Sequence, residues 1–172
     1  MKRESLKEQV IANKAFKKYK RILNAVVAQF NPVEVEKEAK TMHAGRLVRS
    51  LDPKKMNPRT LIEANVREIS YRSRFVEIRV SMTSHRTHLG QVITAVRRYL
   101  VSEYGSESGI KTISERKQYF DRYFREGEQI VAEIDYLLDM LDRFVQDIDQ
   151  AGFALKRTQD LIEMIYVREK SI

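Results

Sequence analysis

The chain has no cysteine and no tryptophan, and only six glycines and three prolines among its 172 residues. Without cysteine there can be no disulfide framework, no thiolate metal site and no cysteine nucleophile, and a reducing compartment is compatible with that composition. The shortage of glycine and proline leaves little turn punctuation, and the β-branched runs between Gly/Asn turns that mark strands are missing. No stretch approaches the roughly 18 apolar residues of a membrane span, and the first residues hold no apolar signal core, so a soluble, intracellular protein is expected.

Catalytic chemistry is equally hard to assemble. There is no phosphate-cradling glycine loop, no Walker lysine and no G-x-S-x-G elbow. His85 and His88 could share a helical face, yet no third ligand stands near them. The carboxylates between Glu126 and Asp149 are scattered round a helix, with only Arg143 opposing them. That pattern reads as a solvated face more than a nuclease cluster. A protein that is not an enzyme, with no cofactor and no metal, is expected.

What is abundant is helix-forming sequence, 42% hydrophobic and 33% charged. From Phe120 to Ile148 apolar residues follow a 4-3 rhythm through Phe124, Val131, Ile134, Leu138, Leu141 and Val145, interrupted only by Gly127. Such a seam needs another helix to cover it, from this chain, from a copy or from another protein. The spacing predicts an all-α protein, its long helices in a helical hairpin or coiled-coil arrangement, ending in a C-terminal amphipathic helix at 153–169.

Along the chain, a first helix is expected from about Glu4 to Gln29, ended by Asn31-Pro32, and a second from Val33 to Leu51. Residues 51–58, with two prolines, read as a linker. Asn57 and Pro58 read as a cap and first turn of a long helix reaching Tyr104. On it Ile62, Val66, Ile69, Val76 and Val80 form one seam, and Leu89, Val92, Ile93, Val96 and Leu100 another. Ser81 to Gly90 between them, poor in helix formers, reads as a kink or break. Residues 105–109 read as a loop, Thr112 or Ser114 as the cap of the seam helix, and Gly152 as its interruption. Three blocks result: a basic extension at 1–56, a long helix at 57–109 and an acidic coiled-coil-like region at 110–172.

Charge divides along the same lines. Residues 1–24 carry eight Lys/Arg against two Glu, whereas 110–172 carry ten against thirteen acids. One part thus suits a polyanion and another suits contacts between helices. Within the first helix Lys14, Lys17, Lys18, Lys20 and Arg21 interleave with Phe16 and Tyr19, offering phosphate attraction and base stacking. The same residues also fit a solvated amphipathic helix with an aromatic core. Arg97, Arg98, Tyr99 and Tyr104, before Gly105, offer a similar combination for single strands. Paired arginines at a helix end also simply complement the dipole.

The order of these features, with Gly152, Phe153, Leu155 and Lys156 near the C-terminus and Glu63-Ala64-Asn65 upstream, resembles the UvsY-type recombination mediator family of tailed bacteriophages over roughly residues 57–165. The resemblance implies a helical protein of the host bacterial cytoplasm that binds single-stranded DNA. It also implies a ring-shaped homo-oligomer formed through the C-terminal region, and help in loading a phage recombinase onto strands covered by the single-strand DNA-binding protein. The basic pair of that family maps onto Arg97 and Arg98, here adjacent instead of one residue apart. On this reading Val131, Ile134, Leu138, Leu141, Val145, Ile148, Phe153, Leu155 and Ile162 carry the oligomer. A reading of a different class is a coiled-coil scaffold or assembly protein whose basic N-terminus docks an acidic partner.

Overall fold

The computed structural model describes residues 5–46, 48, 57–106, 109 and 112–169. Positions 51–56 of the expected linker and loop positions 107 and 108 lie outside the described residues, and the second helix ends at Ala44, short of the Leu51 expected. The elements are α1 (Leu6–Ala12), α2 (Lys14–Gln29), α3 (Pro32–Ala44), α4 (Pro58–Tyr104), α5 (Ile113–Asp121) and α6 (Arg125–Glu169). The fold is all-α, with no strand among the described residues.

Local chemistry explains most boundaries. Ser5 and Glu8 close a reciprocal capping box on α1, and the Ser5 N–H holds the Glu8 carboxyl below its usual range. The single first helix expected from the sequence is broken at Asn13. Its backbone is extended, its side-chain oxygen accepts from the Ala15 N–H at 2.8 Å, and its amide donates to the Tyr104 hydroxyl at 2.9 Å. An asparagine that caps one helix and ties it to another outweighs the modest gain of one more helical residue. Pro32 and Pro58 each open a helix, and Asn57 caps α4 by accepting from the Thr60 N–H at 2.9 Å.

Two other expected breaks are absent. α4 runs unbroken through Ser81 to Gly90, because Met82 and Leu89 are buried and keep the inward register on both sides of the weak stretch. α6 likewise continues through Gly152, flanked by buried Ile148 and Leu155. The seam helix breaks instead at residues 122–124, where the Phe124 N–H donates to the Asp121 carbonyl at 2.9 Å.

The chain divides into two compact units, 1–32 with 82–136 and 33–81 with 137–172, which cut across the three sequence blocks. In the first unit Phe16, Tyr19, Leu23, Leu89, Ile93, Leu100, Phe120 and Phe124 form a buried core. Tyr19 and Phe124 meet at 5.0 Å between ring centroids, and Phe16 stands edge-on to Phe124 at 6.1 Å. Gly127, the gap in the seam, lies where the Tyr19 ring crosses α6. A Cβ there would stand 2.6 Å from the Tyr19 hydroxyl oxygen and 3.0 Å from Ile93 Cδ1.

In the second unit the buried row of α4 is Leu61, Ala64, Glu68, Phe75 and Ile78, not the row expected from Ile62 to Val80, which is exposed except at half-buried Val76. Glu68 is buried against Arg46, whose Nε donates to it at 2.7 Å and whose Nη1 donates to Asp147 at 2.6 Å. His43 contacts the same Asp147 oxygen at 2.8 Å and stacks on Phe144 at 3.8 Å. This network ties α3 to α4 and α6 with charge in place of apolar contact, so its members depend on one another.

Candidate nucleic-acid interface

In the first unit, α1, α2 and the turn leading into α6 enclose an open cavity of about 750 Å³. Among the described residues Lys7, Lys17, Lys20, Arg21, Arg122 and Arg125 line it with Phe16 and Tyr123, against a single carboxylate, Glu126. Helical spacing makes this possible. Phe16, Tyr19 and Leu23 point inward from α2, and Lys17, Lys20, Arg21 and Asn24 fall on the neighbouring face. The break at 122–124 does the same for the other wall, turning Phe124 into the core and leaving Arg122 and Tyr123 at the cavity.

The arginine and tyrosine at that turn are organised before any ligand arrives. The Arg122 guanidinium lies 3.9 Å from the Tyr119 ring centroid and 4.9 Å from that of Tyr123, and donates to the Tyr123 hydroxyl at 3.1 Å. Burial pushes the Tyr123 phenol up from its ordinary value, so the ring stays neutral. Of the lining cations, Lys20 is paired, with Glu126 at 2.5 Å. The arrangement can neutralise several phosphates and offer a ring face to an unstacked base.

The residues singled out from the sequence meet different fates. Lys17, Lys20 and Arg21 line the cavity, while Lys14 and Lys18 are exposed outside its wall. Arg97 is engaged inside the protein: it pairs with Asp121 at 2.9 Å and with Glu128, and its guanidinium lies 5.3 Å from the centroid of the Phe124 ring. Arg98 is exposed in a shallow groove with Arg86, Gly90 and Thr94. Tyr99 is exposed and Tyr104 half-buried with its hydroxyl held by Asn13, so these four do not form one surface.

The α6 seam is covered within the chain. Ile134, Leu141, Ile148 and Leu155 are buried, Val131, Leu138, Val145 and Ile162 are half-buried, and Phe153 is 70% exposed. Lys7, Asn24, Arg122, Tyr123 and Arg125 escaped the sequence reading. The run Arg122-Tyr123-Phe124-Arg125 nevertheless carries the same cation and aromatic interleaving as Lys14 to Arg21. Among the described residues no group of three or more His, Asp or Glu side chains could hold a metal ion, and no helix is long and apolar enough to cross a membrane. Compared with family models, curated proteins and solved structures, the chain matches none.

Proposed function

We propose that this chain is a non-enzymatic single-strand-binding protein that grips DNA in the cavity between α1, α2 and the α6 turn. One observation carries the reading: six cations from three segments converge with two aromatic side chains where, among the described residues, one carboxylate stands. In duplex DNA the bases are stacked and cannot reach the Tyr123 ring, so a single strand gains stacking of about 1–3 kcal/mol per base that a duplex does not. The resemblance to UvsY-type mediators extends the proposal. Bound strands would be handed to a recombinase in competition with the single-strand DNA-binding protein, by an assembly of copies that multiplies a modest grip.

Fluorescence anisotropy with single- and double-stranded oligonucleotides across a salt series tests it. With the five cations other than Lys20 engaged, the slope of log affinity against log salt is expected near −3.5, at about 0.7 per phosphate. Arg122→Ala/Arg125→Ala should make that slope shallower by about 1.4, and Tyr123→Ala should narrow the preference for single strands. A double variant with the parent's affinity and slope would remove the cavity from the site. Absence of oligonucleotide binding at low salt, together with recovery of a structural protein as partner, would favour the scaffold reading.

A further inference from the structure

In the second unit α4 has a face that the described residues leave largely uncovered. Ile62, Val66, Ile69, Ser73, Val76 and Val80 follow one another at steps of four and three, and Ile62, Val66, Ile69 and Val80 are 54%, 60%, 57% and 65% exposed. Single exposed aliphatic residues are ordinary on protein surfaces. A heptad row with one polar member, Ser73, on a helix whose opposite row is already buried is a second coiled-coil seam. We propose that this row is where copies of the chain pack on one another, with their α4 helices parallel and in register.

The flanks of the row select the occupant. The position after each Ile62-type core residue holds Glu63, Ser70 and Glu77, and the position before each Val66-type residue holds Asn65, Arg72 and Arg79. In a parallel, in-register pair each residue of the second set meets the residue five further along in the partner, so Arg72 of one copy faces Glu77 of the other, in both directions. An antiparallel pair in full overlap would set Arg72 against Arg72 and Glu63 against Glu77. Arg72 is half-exposed and bound on its inner side to Asp149 at 2.7 Å, so it can bridge that carboxylate and a partner's Glu77. All five apolar core positions are β-branched, which favours three or more helices over two, and Ser73 as a polar residue in the row helps to set its register. This contact is independent of the strand-binding cavity, whose residues lie in the other unit.

Sedimentation tests the inference directly. The full chain should run as a multiple of 20.3 kDa, three copies or more. Val66→Glu/Ile69→Glu should be monomeric with unchanged helical circular dichroism and should keep oligonucleotide binding by the isolated subunit, so that loss of assembly and loss of the DNA reading are told apart. Arg72→Glu and Glu77→Arg should each weaken self-association about tenfold. The double swap, or an equimolar mixture of the two single variants, should restore it. A monomeric parent at every concentration, an unchanged mass for Val66→Glu/Ile69→Glu, or single swaps that associate as tightly as the parent would each overturn the proposal. So would a parent that stays monomeric and binds only a foreign amphipathic helix on this face.

Discussion

Replacing Gly127 by alanine tests the packing of the first unit at its tightest point. On an open helical surface Gly→Ala stabilises by about 0.5–1 kcal/mol, because glycine loses more conformational freedom on folding. At Gly127 the added methyl would meet the Tyr19 hydroxyl oxygen at 2.6 Å, Ile93 Cδ1 at 3.0 Å and Tyr19 Cε2 at 3.2 Å. The tyrosine cannot swing aside freely, since it is fully buried and its ring is wedged between Phe16 and Phe124 at centroid distances of 5.6 and 5.0 Å. Overpacking a tight core costs about 1–3 kcal/mol, so the net change expected is a loss of about 1–2 kcal/mol after the helix gain is counted. The Tyr19 hydroxyl makes no well-formed hydrogen bond, so Tyr19→Phe should by itself be nearly neutral. Together the two substitutions should recover most of the loss, a coupling of at least about 1 kcal/mol in a double-mutant cycle read by urea denaturation. A Gly127→Ala protein more stable than its parent, or a cycle with no coupling, would refute the claim that Tyr19 dictates glycine there.

Other expectations follow from the same packing. Burial raises the Tyr19 phenol from 10.0 to about 12, so the folded state keeps its proton where the unfolded chain has lost it. Stability from this source is fully present below pH 10 and falls by at most a few kcal/mol between pH 10 and 12, and denaturation at stepped pH should show that fall reduced in Tyr19→Phe. Arg46→Ala strands the buried Glu68 carboxylate and should cost about 3–5 kcal/mol by chemical denaturation; a loss below 1 kcal/mol would mean the pair is not buried in solution. Arg97→Ala should lower stability by about 1 kcal/mol, its partners being half-exposed, and leave oligonucleotide affinity unchanged in the anisotropy assay that registers Arg122→Ala. Leu141→Asp should unfold the chain, seen as lost helical circular dichroism, whereas the outward Val66→Glu should not.

The helices were legible in the sequence because the periods that make them are local: the seam from Val131 onward on α6, the Asn57-Pro58 start of α4 and the proline at the head of α3 all stand where the pattern puts them. What the periods could not supply was facing. α4 carries two apolar rows, and hydropathy alone gives no reason to prefer Ile62, Val66 and Ile69 over Leu61, Ala64 and Phe75 for the interior. Only the small Ala64 and the pairing of Glu68 with Arg46 favour the second row, and that pairing joins residues 22 apart in sequence. The break at Asn13 was hidden for a similar reason. Its capping oxygen acts locally, but the Tyr104 hydroxyl that receives its amide lies 91 residues away.

The fold separates the candidate binding residues for an electrostatic reason that the sequence conceals. With eight arginines, α4 also looks from the sequence like a partner for DNA, although its block carries a smaller basic excess than the N-terminal one. In the fold three of its arginines are engaged by the acidic helix: Arg72 meets Asp149, Arg79 meets Asp142 and Arg86 meets Asp135, at 2.7, 2.7 and 2.9 Å, each pair seven residues from the next on both helices. Arg97 continues the theme with Asp121 and Glu128. The acidity of α6 therefore serves to neutralise α4, and the surplus positive charge of the chain falls to residues that no carboxylate repeats against. Arg122, Arg125, Lys17 and Arg21 are such residues, and the cavity they share with Tyr123 is where a polyanion has most to gain.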